Sequence, residues 1–185
     1  MPRLSTVFGA AALGALTAAM APLAAQDHSA DAPALMMTQD SVNVFRRFSG
    51  DRAKELEFYR DVVGIPALRD MGMPGGGQMS LLHIGTSQFK FTNAAPNRAE
   101  KPGPVLDVTG LRVFTYFYAD EGAVTKAFTA HGYPAPAFQT TAGHRRAMTT
   151  DPDGQWVELV VGGDPSHFEI GATATDLAQS RAFYR

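Results

Sequence analysis

The sequence predicts an α+β fold built from two copies of a βαβββ unit. Three observations predict it. A stretch alternating with period two leads into a segment with helical spacing, and three further short strands follow. The same order then restarts after a Pro/Asn-rich linker. Each helical segment begins just after an aspartate, Asp51 in the first copy and Asp120 in the second. An internal repeat of this kind takes priority over the reading of any single segment.

Residues 41–48 place Val42, Val44, Arg46 and Phe48 on one face and Asn43, Phe45 and Arg47 on the other, the pattern of a strand. Gly50 and Asp51 break it, and Asp51 is placed to cap a helix. Over residues 52–63, Ala53, Leu56, Tyr59, Val62 and Val63 fall at helical spacing. Gly64 ends that helix and Pro66 prevents its continuation. Strands are expected over 67–71, 79–84 and 88–92, with turns at the Gly75-Gly76-Gly77 tip and at Gly85-Thr86-Ser87. Beyond the linker at 93–104, a strand is expected over 111–118 and a helix over 121–131, with Val124, Ala127 and Phe128 inward. Strands over 137–141, 145–149 and 156–161 complete the second copy, and Asp151-Pro152-Asp153-Gly154 turns between the last two.

The flanks carry their own signals. Arg3, a charge-free run from 7 to 21 and small residues at Ala24 and Ala25 have the layout of a signal peptide over residues 1–25. Export to the periplasm or the extracellular space is therefore expected, with no membrane attachment after cleavage. Residues 26–40 lack periodicity and read as a tether. At the other end, Phe168-Glu169-Ile170 opens a strand, and residues 176–185 repeat the helix around Phe58-Tyr59-Arg60. Residues 167–185 are accordingly expected to begin a second, truncated module of a longer protein.

Composition narrows the classes further. In 185 residues, 45% are hydrophobic and 18% charged, enough apolar material for a buried core. A net charge of −2 without long charge runs gives no reason to expect a nucleic-acid partner. The absence of cysteine removes disulfides, thiolate metal sites and a cysteine nucleophile.

The helix text DRAKELEFYRDVVG, the late segment DPDGQWVELV and the paired βαβββ plan resemble the vicinal oxygen chelate superfamily, which includes glyoxalase-like lyases, bleomycin-resistance proteins, fosfomycin-modifying enzymes and extradiol dioxygenases. The resemblance spans residues 41–163. It implies sheets that curl into an open cup, with helices on the convex face and a metal held in the cup. The metal ligands implied are usually histidine and glutamate, from the first, fourth, fifth and last strands. The matching positions here are Val44, Lys90, Val113 and Glu158. Valine has no lone pair and an ammonium repels a dication, so Glu158 is the one ligand-type residue that remains, and a transition metal needs about three protein ligands. A one-residue slip would substitute Asn43 or Phe45 and Arg112 or Phe114, and none restores the set.

The alternation then assigns faces. With Val44, Lys90, Val113 and Glu158 inward, Arg46, Phe48, Phe117 and Trp156 join them in a mostly apolar cup. Phe45, Phe89, Phe91, Phe114, Tyr116, Val157 and Leu159 are left to pack on the helices. Arg46, Phe48, Lys90, Phe117, Trp156 and Glu158 are the expected ligand-binding residues, with a Lys90–Glu158 ion pair in place of the metal. Of the histidines, His83 is read as a hydrogen-bonded structural residue with a role as base as the alternative. His144 is assigned to the cup mouth or a hairpin end, and His131 to a helix C-terminus, where a cation is favoured.

The function expected is an exported, glyoxalase/bleomycin-resistance-like protein whose module is a metal-free cup for a small organic molecule, or a structural half. No cofactor is expected in this module. Its partner would be a second module in the same chain or a second copy in a homodimer. The alternative is a metal-dependent lyase or dioxygenase with its divalent metal in the missing C-terminal module.

Overall fold

The computed structural model describes residues 41–93, 103–107 and 109–183; the expected signal peptide and tether lie outside them. The first unit runs β1 (Asn43–Phe48), α1 (Arg52–Glu57), β2 (Ala67–Gly72), β3 (Gln78–Ile84) and β4 (Ser87–Asn93). The second runs β5 (Gly110–Tyr118), α2 (Glu121–Ala130), β6 (Gln139–Thr141), β7 (His144–Thr150) and β8 (Trp156–Val161). A further strand, β9 (Phe168–Thr173), and helix α3 (Leu177–Phe183) follow. The α+β architecture of paired βαβββ units is present as expected.

Both helices start as their sequences dictate. The Asp51 carboxylate accepts the Ala53 N–H at 2.8 Å, and Asp120 accepts the Gly122 N–H at 2.8 Å, each satisfying a backbone donor that the first helical turn leaves free. The first helix departs from a regular continuation. After Glu57 it widens into a π-helical turn over Phe58–Val62, in which the Val63 N–H donates to the Phe58 carbonyl. The wider turn lets the successive rings of Phe58 and Tyr59 both be fully buried.

The first sheet has the order β1-β4-β3-β2 and the second β6-β7-β8-β5-β9. In each unit the strand before the helix lies parallel to the last strand, β1 to β4 and β5 to β8. A parallel neighbour demands a long crossover, and the helix with its following hairpin supplies it. Strand β9 runs antiparallel to β5 and completes the second sheet's edge.

One core serves both sheets. Phe58, Tyr59, Phe89, Phe91, Phe114, Tyr116 and Phe128 all belong to it. The Phe89 and Phe114 rings meet edge-to-face, centroids 5.3 Å apart, and so join β4 of one sheet to β5 of the other. Among the described residues no helix is long and apolar enough to cross a membrane.

The expected orientation of β1 is reversed. Val44, Arg46 and Phe48 face the core, at 8%, 1% and 0% exposure, whereas Phe45 is 43% exposed. The parallel ladder is the cause. It sets Val44 beside Phe89 and Arg46 beside Phe91, and side chains paired across a sheet share a face. Asn43, Phe45 and Arg47 consequently occupy the open face.

Candidate functional site

The open face of the second sheet holds Glu158, the one ligand-type residue singled out by the sequence, among further polar groups. Thr115 on β5 lies opposite Glu158 on β8 and opposite Glu169 on β9. Met148 on β7 lies on the other side of Glu158. Glu158 accepts from the Thr115 hydroxyl at 2.9 Å and from Arg146 at 2.9 Å. Two depressions flank it. One, of about 260 Å³, is lined by Val113, Thr115, Met148, Glu158 and Glu169. The other, of about 410 Å³, brings in Gln139, Thr141 and Arg146.

The expected partner of Glu158 was Lys90, and the structure corrects this. Among the described residues Glu158 is ion-paired to Arg146. Lys90 alternates with Phe89 and Phe91 on β4, and Thr115 alternates with Phe114 and Tyr116 on β5. Since those rings pack into a common core, Lys90 and Glu158 point away from it on the outer sides of different sheets. Lys90 instead has Phe45 and Leu81 as cross-strand neighbours.

The other expected binding residues are dispersed. Phe48 is fully buried against Phe91, with centroids 5.7 Å apart. Trp156 is beside Val113 on the open face, its indole N–H donating to the Gly103 carbonyl at 2.8 Å. Phe117 packs against the His167 ring at 5.4 Å. His131 reaches Glu57 at 2.9 Å. Arg146, Thr115 and Glu169 were not singled out as partners of Glu158. The period-two pattern of β7 could have placed Arg146 there, whereas Glu169 depended on β9 joining this sheet.

Arg46 belongs to a second polar cluster, inside the core. Its guanidinium is 2.9 Å from Asp151, 3.4 Å from Asp153 and 3.5 Å from Glu55. Asp151 also accepts from the Tyr59 hydroxyl at 2.7 Å and from the backbone N–H of Gln155 at 2.8 Å and of Asp153 at 3.0 Å. Burial and, next, the charge of Asp151 push the Glu55 carboxyl up to about 8, against the lowering effect of Arg46. Burial likewise raises Tyr59 well above the usual phenol value, so it stays a hydrogen-bond donor. This cluster lies between elements of the two units and is closed to solvent, which marks it as structural.

A metal set does not fit these residues. The open-face positions on the four relevant strands carry Asn43 and Phe45, Lys90, Val113, and a Glu158 already engaged by Arg146. Among the described residues no three histidine, aspartate or glutamate side chains stand close enough to hold a metal ion. Lone-pair donors are too few for the coordination that zinc, manganese or iron require.

Comparison with known proteins agrees on the fold. A mutant glyoxalase I from Zea mays superposes with a TM-score of 0.62 at 20% identity, covering 77% of this chain and 53% of that one. TnmS3, an antibiotic binding protein from Streptomyces sp. CB03234, gives 0.52 at 20% identity over 69% of this chain and all of its own. A mutant of the fosfomycin resistance protein FosX from Listeria monocytogenes, complexed with Mn(II) and 1S,2S-dihydroxypropylphosphonic acid, gives 0.51 at 14% identity over 69% and 95% of the two chains. No curated protein matches in sequence. The profile of the Glyoxalase/Bleomycin resistance protein/Dioxygenase superfamily matches residues 41–159, well over half of the chain, and the chain belongs to that family.

Proposed function

We propose that this chain is an exported, metal-independent member of the family that binds a small organic molecule on the open face of its second sheet. One observation carries the reading. Glu158, the single ligand-type residue among the four family positions, is neutralised by Arg146 and hydrogen-bonded by Thr115. A carboxylate held in this way is poorly available to a cation, and its neighbours offer apolar contact through Val113 and Met148 with a few fixed polar groups. The antibiotic and the phosphonate named for TnmS3 and FosX support a small organic ligand as the class. Export rests on the signal-peptide layout of residues 1–25 and is checked by the N-terminal sequence of the mature protein. A second copy, or a further module, is proposed as the partner that would face this sheet.

The test is elemental analysis of the purified protein after incubation with zinc, manganese, nickel and ferrous iron, run beside a thermal-shift screen of small organic compounds. The reading expects substoichiometric metal and ligand shifts that Glu158→Gln or Thr115→Val reduces. Stoichiometric metal lost in Glu158→Gln overturns it. A second reading, a metal-dependent lyase or dioxygenase whose metal is held by a further module, is favoured by the half-length coverage of the maize structure. Stoichiometric metal retained in Glu158→Gln would select it.

A further inference from the structure

The depression of about 260 Å³ beside Glu158 offers a guest one kind of polar group. Its lining includes two carboxylates, Glu158 and Glu169, and no lysine, arginine or histidine. The one lining side chain with a hydrogen-bond donor is Thr115, and its hydroxyl is committed, donating to Glu158 at 2.9 Å. The side chains therefore present acceptors and apolar surface, without a donor to spare.

The two carboxylates are not equivalent. Glu158 is held by the Arg146 guanidinium at 2.9 Å and is partly buried. Glu169 lies on the other flank of Thr115, across β5, and its side chain is 56% exposed. Its ion-pair partner among the described residues is His167, at 3.4 Å and 58% exposed, and no guanidinium or ammonium holds it. Glu169 is thus the carboxylate open to a donor from outside. The floor beside it carries no side chain, because Gly171 lies opposite Val113 and two residues along β9 from Glu169. A Cβ at Gly171 would come within 3.1 Å of the Val113 Cβ. Val113 and the exposed Met148 border the same space with apolar surface.

We infer that this depression takes an organic cation, a primary or secondary ammonium that donates to Glu169 while its apolar body lies over Val113 and Met148. The inference rests on the reading of the open face as a small-molecule site and narrows its ligand class. An anion would meet carboxylate charge with no cation on the lining to offset it. The objection to a metal ion does not extend to an ammonium, which brings its own N–H donors and needs no set of three ligands in fixed geometry. The adjoining depression, where Gln139, Thr141 and Arg146 supply donors, has the opposite polarity, so the selection for a cation belongs to the Glu169 side.

Calorimetric titration of the full chain at neutral pH with 2-phenylethylamine, 2-phenylethanol and phenylacetate tests this. The amine should bind about tenfold more tightly than the alcohol, and phenylacetate should show no binding. Glu169→Gln should remove about that tenfold from the amine and leave the alcohol as it is. Because Glu169 is exposed, the melting temperature should not move. Met148→Ala, also at an exposed position, should weaken amine and alcohol alike. Absence of amine binding, equal affinity for amine and alcohol, binding of phenylacetate, or an unchanged amine affinity in Glu169→Gln would each overturn the assignment. If other organic compounds still bind and are lost in Glu158→Gln, the open-face reading stands and the ammonium class alone falls. If no compound depends on Glu158, that reading falls with it.

Discussion

Arg46 and Asp151 form an ion pair at 2.9 Å with both side chains almost wholly buried, joining the first strand of one βαβββ unit to the last turn of the other. The pair is not isolated. Tyr59, Glu55, Asp153 and two backbone N–H groups complete its surroundings. A buried ion pair contributes little net stability when intact, because desolvation offsets the attraction.

Removing one partner is a different matter. Arg46→Met leaves Asp151 and Glu55 buried without a cation, and a loss of about 3–5 kcal/mol is expected in urea unfolding. Tyr59→Phe removes one charge-assisted hydrogen bond and should cost about 1.5–3 kcal/mol. An Arg46→Met protein as stable as the wild type would show that the cluster is not closed to water.

Glu55 gives a pH dependence with a definite sign. Its folded-state value is raised from 4.5 to about 8, so the folded protein binds the proton more tightly than the unfolded chain. Its contribution is fully present below pH 4.5 and is lost as pH rises through about 8, by an amount on the order of a few kcal/mol. Glu55→Gln should flatten this decline. Urea midpoints measured across that interval for both proteins check it, and parallel curves would refute it.

The Arg146–Glu158 pair is partly exposed, so its coupling is expected to be modest. A double-mutant cycle with Arg146→Met and Glu158→Gln should give about 0.5–1 kcal/mol. The corresponding cycle with Lys90→Met and Glu158→Gln should give none, because those side chains leave different sheets. Measurable Lys90–Glu158 coupling would restore the ion pair expected from sequence.

Gly85 has a φ of +55° and has the Ser166 carbonyl where a Cβ would project. Gly85→Ala should therefore destabilise the fold by about 2 kcal/mol, well beyond the usual effect of a surface substitution. Gly76→Ala, at φ +86° with no atom within 4 Å, carries the backbone strain alone. It should cost less, and chemical denaturation of the two variants separates contact from strain.

The second unit was legible because its strands alternate unambiguously. Phe114 and Tyr116, with Val157 and Leu159, separate from Thr115 and Glu158, and the structure keeps that division. The first strand misled for a physical reason. Placing Val44 at the family's first ligand position turned Arg46 toward the cup, and nothing local in the sequence marks Arg46 as a buried, paired charge. Its partner Asp151 lies 105 residues away in a turn whose sequence gave no hint of burial. The π-helical turn was invisible for a related reason. It is selected by the tertiary packing of Phe58 and Tyr59, not by a local propensity. The role of Glu169 depended on β9 pairing with β5, a neighbour relation that period-two alternation does not specify.

The added ninth strand makes the two halves unequal toward other polypeptides. Among the described residues β1 is an edge of its sheet, whereas its counterpart β5 is bonded on both flanks and β9 has become the edge in its place. A strand added beside β1 in the first half would therefore have its counterpart in the second half displaced one strand outward, onto β9.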